Sequence, residues 1–251
     1  ADGGDGSRTD SRGAGQGGGG RIALLAATVA PEIVEAAQAC GGINTASAEF
    51  PAGGAGTVYV ESDAGRVLEL DNCGGFDAAL TPVTLPGGET VEVDELVVRS
   101  GAIAEVSGLF EVPTLRILDG AHLTHPTNRV SNTGDLTGLN LRVAGTLEVD
   151  ATSSIDVTGK GIPKIVGIES SMGTMWPGTV VDAANGTGGS YGGYASKLTG
   201  LSHPNATYGD PAFPNELGSS GSGYHPTRGA AGGGLAQIAA GELRLEGAIL
   251  A

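Results

Sequence analysis

The apolar positions of this chain fall in short alternating runs. In the stretch "GELRLEGAILA" (241–251), Leu243, Leu245 and Ile249 alternate with Glu242, Arg244 and Glu246. This is the period of a strand with one face turned to a core. The same signal recurs in "GTVYVES", "RVLELDN", "TVEVDELVV", "TLRIL", "LNLRVAGTLEV" and "SSIDVTG", punctuated by Gly, Pro and Asn. "PEIVEAAQAC" (31–40) reads two ways: a short helix opened by Pro31, or a further turn and strand.

Four of the runs share one design. "LVVRSGAIAEV" (96–106), "LRILDGAHLTH" (115–125), "LRVAGTLEV" (141–149) and "LRLEGAILA" (243–251) each set a strand, a glycine and a second strand in series. The glycines are Gly101, Gly120, Gly145 and Gly247, and the first steps are 120 − 101 = 19 and 145 − 120 = 25 residues. Short strands recurring at that interval mark turns that bury their apolar faces by stacking. The pattern predicts an all-β protein, a parallel β-helix (β-solenoid) with glycine at its corners. The array is interrupted at 160–234, which holds every lysine (Lys160, Lys164, Lys197) and the aromatics Trp176, Tyr191, Tyr194, Tyr208, Phe213 and Tyr224. Disordered linkers are poor in aromatics. The segment is therefore expected to be ordered and packed on the solenoid through Trp176, Tyr191 and Tyr208. The whole chain, 1–251, reads as one module, with 1–20 as a Gly/Asp-rich leader.

Composition sharpens this reading. Glycine accounts for 46 of 251 residues, far above the usual share, while 39% of residues remain hydrophobic and only 4% are aromatic. A core of small aliphatic side chains suits stacked strands. The formal charge of −15, with 28 acidic against 13 basic residues, excludes a phosphate-binding surface of the nucleic-acid kind. No apolar run approaches the ~20 residues of a membrane helix.

The motifs "GGSYGGYASKL", "YGDPAFPNELGSSGSG" and "GAAGGGLAQIAAGELRLEGAILA", with "GGGGRIAL" and "GGAGTVYVES" in the front half, resemble Gly-rich repeat modules of very large secreted and surface adhesin-like proteins of bacteria. The resemblance spans nearly the whole chain. It implies a β-solenoid and an extracellular or cell-surface role, structural or adhesive, and it carries no catalytic signature. The segment "EAAQACGG" departs from the pattern.

Candidate chemistry is sparse. Cys40 and Cys73 both precede Gly-Gly, as on neighbouring turns, and without a C-x-x-C spacing zinc is not indicated. A disulfide in an oxidising compartment is expected; the other reading is two buried thiols. Asp2, Asp5 and Asp10 lie among glycines and are the candidate calcium ligands, although the nonapeptide of calcium β-rolls is incomplete. Their other reading is a solvated acidic loop. Asn185 and Asn205 open glycosylation sequons. His122 and His125 alternate out of register for one metal, and the catalytic candidates of the excursion (Asp182, His203, Asp210, Arg228) sit beside Gly and Pro rather than on rigid strands. The reading is therefore non-enzymatic. Trp176, Tyr191, Tyr194, Tyr208 and Tyr224 are the candidate contacts for a surface glycan and support the alternative function, a carbohydrate-binding or polysaccharide-degrading β-helix. Finally, "GAILA" followed by "ADGG" reads as a continuation of the module, so the chain is expected to assemble with itself head to tail. Ile249 and Leu250 would meet Ile22 and Leu24, giving a fibre or tandem array.

Overall fold

The computed structural model describes residues 1–6, 15–43, 51–75, 78–83, 92–128, 137–163, 173–175, 179–181, 190–194, 207–221 and 229–251. In chain order the elements are β1 (Arg21–Leu25), α1 (Pro31–Ala36), β2 (Thr57–Ser62), β3 (Gly65–Asp71), β4 (Leu80–Pro82), β5 (Glu95–Arg99), β6 (Ile103–Glu105), β7 (Gly108–Val112), β8 (Thr114–Ile117), β9 (His122–Thr124), β10 (Leu139–Val149), β11 (Ser154–Asp156), β12 (Gly173–Met175), β13 (Thr179–Val181), β14 (Ala236–Leu245) and β15 (Ala248–Leu250). The expected all-β class holds, with one short helix, which opens on Pro31 at its first turn. The strands form mixed and parallel sheets that do not close into a complete coil.

From β3 onward the chain passes back and forth between two parallel sheets, apart from β12 and β13, which form a separate antiparallel pair. One parallel sheet runs β3-β5-β8-β10-β14 and the other β4-β6-β9-β11-β15. Their registers stack like residues over like. Leu68, Leu96, Leu115, Leu147 and Leu243 form one inward row, and Leu70, Val98, Ile117, Val149 and Leu245 the next. The facing sheet contributes Thr81, Ala104, Leu123, Ile155 and Ile249. The buried aliphatic members of these rows form one core with Phe110 and Val112 of β7. Fully burying each such side chain stabilises the fold by about 1.5–3 kcal/mol, so aligned aliphatic rows, rather than any single large ring, hold it together.

Hydrogen-bonded turns join the two sheets and stack on one another. Residues 72–75, 99–102, 118–121 and 150–153 each close with an N–H to carbonyl bond of 2.9–3.1 Å. The first three have positive φ at both central residues: Cys73 and Gly74, Ser100 and Gly101, Asp119 and Gly120. The corner roles expected of Gly101 and Gly120 thus hold. Gly145 is different. It lies inside β10, where the register shifts between Val143 and Thr146, and its N–H bonds the Pro113 carbonyl at 2.8 Å. Pro113 separates β7 from β8, both of which pair with β10. Gly145 marks a bend rather than a corner, and the fourth corner is Asp150–Ser153.

The beginning of the chain departs from this alternation. β2 and β3 form an antiparallel hairpin, and β1 pairs parallel to β2. β1 and β2 therefore run against the other strands of their sheet. Opposite pairing sets Tyr59 and Ala23 on the face that carries Leu68, whereas Val58, Val60, Ile22 and Leu24 face the other way. That second face packs with Ala39 and with Val29, Val34 and Ala37, in and around α1.

The glycine-rich segments are ordered in an unexpected form. Gly3 and Gly6 donate to Cys40 and Ile43, Gly17 and Gly20 to Gly4 and Ala1, and Gly53 and Gly56 to Gly42 and Ala39. Bonds to each neighbour recur every third residue, the period of a threefold extended chain, not the two of a strand. The backbones lie so close that a Cβ on Gly17 would sit 2.8 Å from the Gly4 nitrogen. A second set of such segments stands at the other end, where Gly218 and Gly221 donate to Gly233 and Ala230. Residues 1–6 and 15–20, expected as a leader, are thus part of a backbone-packed bundle. Only glycine permits that approach, as at the crowded axis of collagen.

Candidate functional site

The feature with most functional content is the rung made by β14 and β15. Each is the last strand of its sheet. Within the rows of like residues, Leu96, Leu115 and Leu147 are completely buried, yet Leu243 is 50% exposed. In the neighbouring rows Leu245 and Ile249 are likewise open, as is Leu250 at the end of β15. The rung carries the same apolar pattern as the buried ones, and among the described residues no strand pairs with its far side. Such an edge is a template for a further strand.

The polar face follows a similar logic. Arg66 pairs with Asp94 and Glu92, Arg99 with Glu69 and Asp71, Arg116 with Glu148, and Arg142 with Glu111, at N–O distances of 2.5–3.4 Å. These pairs bridge elements and are partly exposed, so each adds little to stability and chiefly favours one register. On the open rung Arg244 instead turns back to Glu242 of its own strand, at 2.9 Å.

The structure separates the residues expected at a self-assembly contact. Ile249 and Leu250 lie on the open rung. Ile22 and Leu24 lie on β1 at the other edge, but on the face packed with α1. Ala23 and Leu25 occupy the opposite face of β1, and Leu25 is 67% exposed.

Cys40 and Cys73 form a disulfide, with Cα atoms 5.7 Å apart. It ties the glycine segment 39–43 to the first corner turn. Nearby, Asn72 Oδ1 accepts the Gly41 N–H at 2.9 Å. Asp2 and Asp5 accept the N–H groups of Cys40 and Ile43 through Oδ1, at 3.0 and 2.9 Å. Their three-residue spacing matches the period of the bundle, which gives them a structural use. Asp10 lies outside the described residues, among which no group of three or more His, Cys, Asp or Glu is arranged to hold a metal ion.

In the excursion, the rings of Tyr191 and Tyr208 lie 5.0 Å apart, tilted by 54°. They line a shallow hollow of about 280 Å³ with Asp210, Pro211 and Pro214. The Tyr208 hydroxyl donates to the Leu217 carbonyl at 2.6 Å and also meets Ser219 Oγ, which anchors the ring to a segment of the second glycine bundle. Burial, and then the charge of Glu216, push the Tyr191 hydroxyl above its usual pKa. Tyr194 and Phe213 are exposed. Asp210 Oδ1 accepts the Ala212 and Phe213 N–H groups in a local turn. Trp176, Tyr224, Asp182, His203, Arg228 and the sequon residues Asn185 and Asn205 lie outside the described residues.

The two histidines of "GAHLTHP" are separated as expected. His122 Nδ1 hydrogen-bonds with Ser154 Oγ at 2.8 Å on the outside of the second sheet. His125 is fully buried; its Nδ1–H donates to the Pro126 carbonyl at 2.8 Å, and Nε2 has no partner among the described residues. Sequence reasoning gave His125 no role. It lies in the irregular segment directly after β9, next to Pro126.

No helix of the described residues is long and apolar enough to cross a membrane. Comparison with known proteins finds no matching family model, no matching curated protein and no matching solved structure.

Proposed function

We propose that the chain is one parallel β-helix (β-solenoid) module of an extracellular or cell-surface protein, with a non-enzymatic, structural or adhesive role, and that copies assemble head to tail. The observation that carries this reading is the open rung of β14 and β15. It repeats the residue pattern of the buried rungs but leaves Leu243, Leu245 and Ile249 exposed. An apolar edge left open in this way is a template for a further strand. The alternation of the chain between two parallel sheets through stacked turns supports the solenoid reading. The disulfide fits an oxidising compartment. Electron microscopy of the native material tests the proposal. Filaments or tandem arrays are expected, and discrete unassociated particles would contradict it.

A second reading is favoured by the Tyr191–Tyr208 hollow, whose aromatic walls and adjoining carboxylate suit a sugar ring. In it the excursion is a carbohydrate-binding surface. Binding to a defined polysaccharide on a glycan array, lost on Tyr191→Ala, would support it; no binding to any glycan would dismiss it.

A further inference from the structure

Head-to-tail assembly, on which this inference rests, brings the β14 edge of one copy to the β1 edge of the next. We propose that the joint is an antiparallel pairing of β14 with β1 of a second copy of this chain, with Leu243 opposite Leu25 and Leu245 opposite Ala23.

Three observations fix that geometry. The first is direction. β14 is parallel to β10, β8, β5 and β3, but the β2–β3 hairpin reverses β2 and, with it, β1. Two copies stacked with their axes aligned therefore meet edge to edge with opposed strands. An antiparallel pair also has the more favourable hydrogen-bond geometry.

The second is face. Leu243 and Leu245 continue the inward rows. On β1 the residues of the same face are Arg21, Ala23 and Leu25, through the pairing of Ala23 with Tyr59 and of Tyr59 with Leu68. Ile22 and Leu24 face α1 and are already packed in the chain's own second cluster. The side chains left for a partner on the inward face of β1 are Ala23 and Leu25.

The third is register. With opposed strands and matched faces, Leu243 meets Leu25, Ala23 or Arg21, and the last sets a charge directly against it. The first choice puts Leu245 opposite Ala23, apolar on apolar. The second puts Leu245 opposite Arg21, a charge against the core. A two-fold pairing of β14 with itself about Leu243 would align Glu242 with Arg244, but those two side chains already satisfy each other within the strand at 2.9 Å. It would also leave Leu25, 67% exposed, uncovered.

Cysteine crosslinking of the full chain reads the joint. Directly opposed residues in an antiparallel pair have Cα atoms roughly 4.5–5.5 Å apart, within disulfide reach. Sedimentation of the unmodified chain comes first, to establish self-association. The doubly substituted chain Leu25→Cys/Leu243→Cys is then oxidised, run without reductant and mapped by peptide mass. The expected result is a ladder of multimers linked between positions 25 and 243, with the native Cys40–Cys73 bond intact. Leu24→Cys/Leu243→Cys, which places one thiol on the α1 face, is expected to give no ladder. A ladder through position 24 would overturn this joint while leaving head-to-tail assembly standing. Dimers linked 243 to 243 would overturn both in favour of a two-fold contact. Absence of self-association would overturn the assembly reading, and the joint with it.

Discussion

At the scale of single residues, stability rests on aligned small aliphatic side chains and on glycines with no room for a side chain. Leu115 sits mid-row, fully buried between Leu96 and Leu147. Leu115→Ala is expected to destabilise by about 2–5 kcal/mol, read as a lower denaturant midpoint, because the rigid rows above and below cannot collapse into the cavity. Gly17→Ala should cost about 1–3 kcal/mol, although the site looks like a flexible leader, since its Cβ would run into the Gly4 backbone. A loss within experimental error would mean that the bundle does not hold that segment. His125 supplies a pH dependence. Burial lowers its pKa; the bond to Pro126 opposes this and the Lys160 charge adds to it. The folded state thus takes up its proton less readily than the unfolded chain, whose histidine titrates near ~6.5. Stability should be insensitive to this group above that pH and fall as pH drops below it, down to the lowered folded value. Thermal melts between neutral and mildly acid pH check this. The slope should shrink in His125→Gln; an unchanged slope would remove the histidine from the account.

At the scale of elements, much of the fold was legible and the misreadings have physical causes. Strand alternation was plain because each sheet has one buried face, and the corners at Gly101 and Gly120 were plain because positive φ favours glycine. The equivalent turn at Cys73 shares that sign through Gly74, whereas the turn at Asp150 lacks it. There Asp150 Oδ1 instead accepts the Thr152 N–H at 2.9 Å, side-chain chemistry that a glycine count overlooks. Gly145 was misread because a strand–Gly–strand motif looks the same at a bend as at a corner. The bundle was invisible because its bonds join segments far apart in sequence, and a glycine run carries no periodicity to betray them. At the candidate joint, the strand pattern of the last rung was legible in Leu243, Leu245 and Ile249. The choice of face on β1 was not, since it depends on the β2–β3 reversal. The Cys40–Cys73 disulfide joins bundle to sheet across a separation of 33 residues, and on a chain-entropy estimate should stabilise by about 3–4 kcal/mol. Denaturant unfolding with and without reductant checks that figure. A shift well below 1 kcal/mol would show that the backbone bonds alone hold the glycine segment.

At the scale of the molecule, the two ends of the sheet differ. The β1 end has one face packed with α1 and the glycine segments leading into it, while the β14–β15 end presents an apolar cross-section about half exposed. The −15 charge opposes the close approach of copies by general repulsion that salt screens, so the proposed assembly should strengthen as ionic strength rises. Fully covering Leu243 and Leu245 from half exposure is worth on the order of 1 kcal/mol each, enough for a polar substitution to shift association strongly. Sedimentation velocity of the full chain across a concentration series, alongside Leu243→Asp, tests the central claim most directly. Concentration-dependent growth beyond the monomer, abolished by Leu243→Asp with the thermal midpoint little changed, is the result expected. A single monomeric species at every concentration, indifferent to Leu243→Asp, would contradict it.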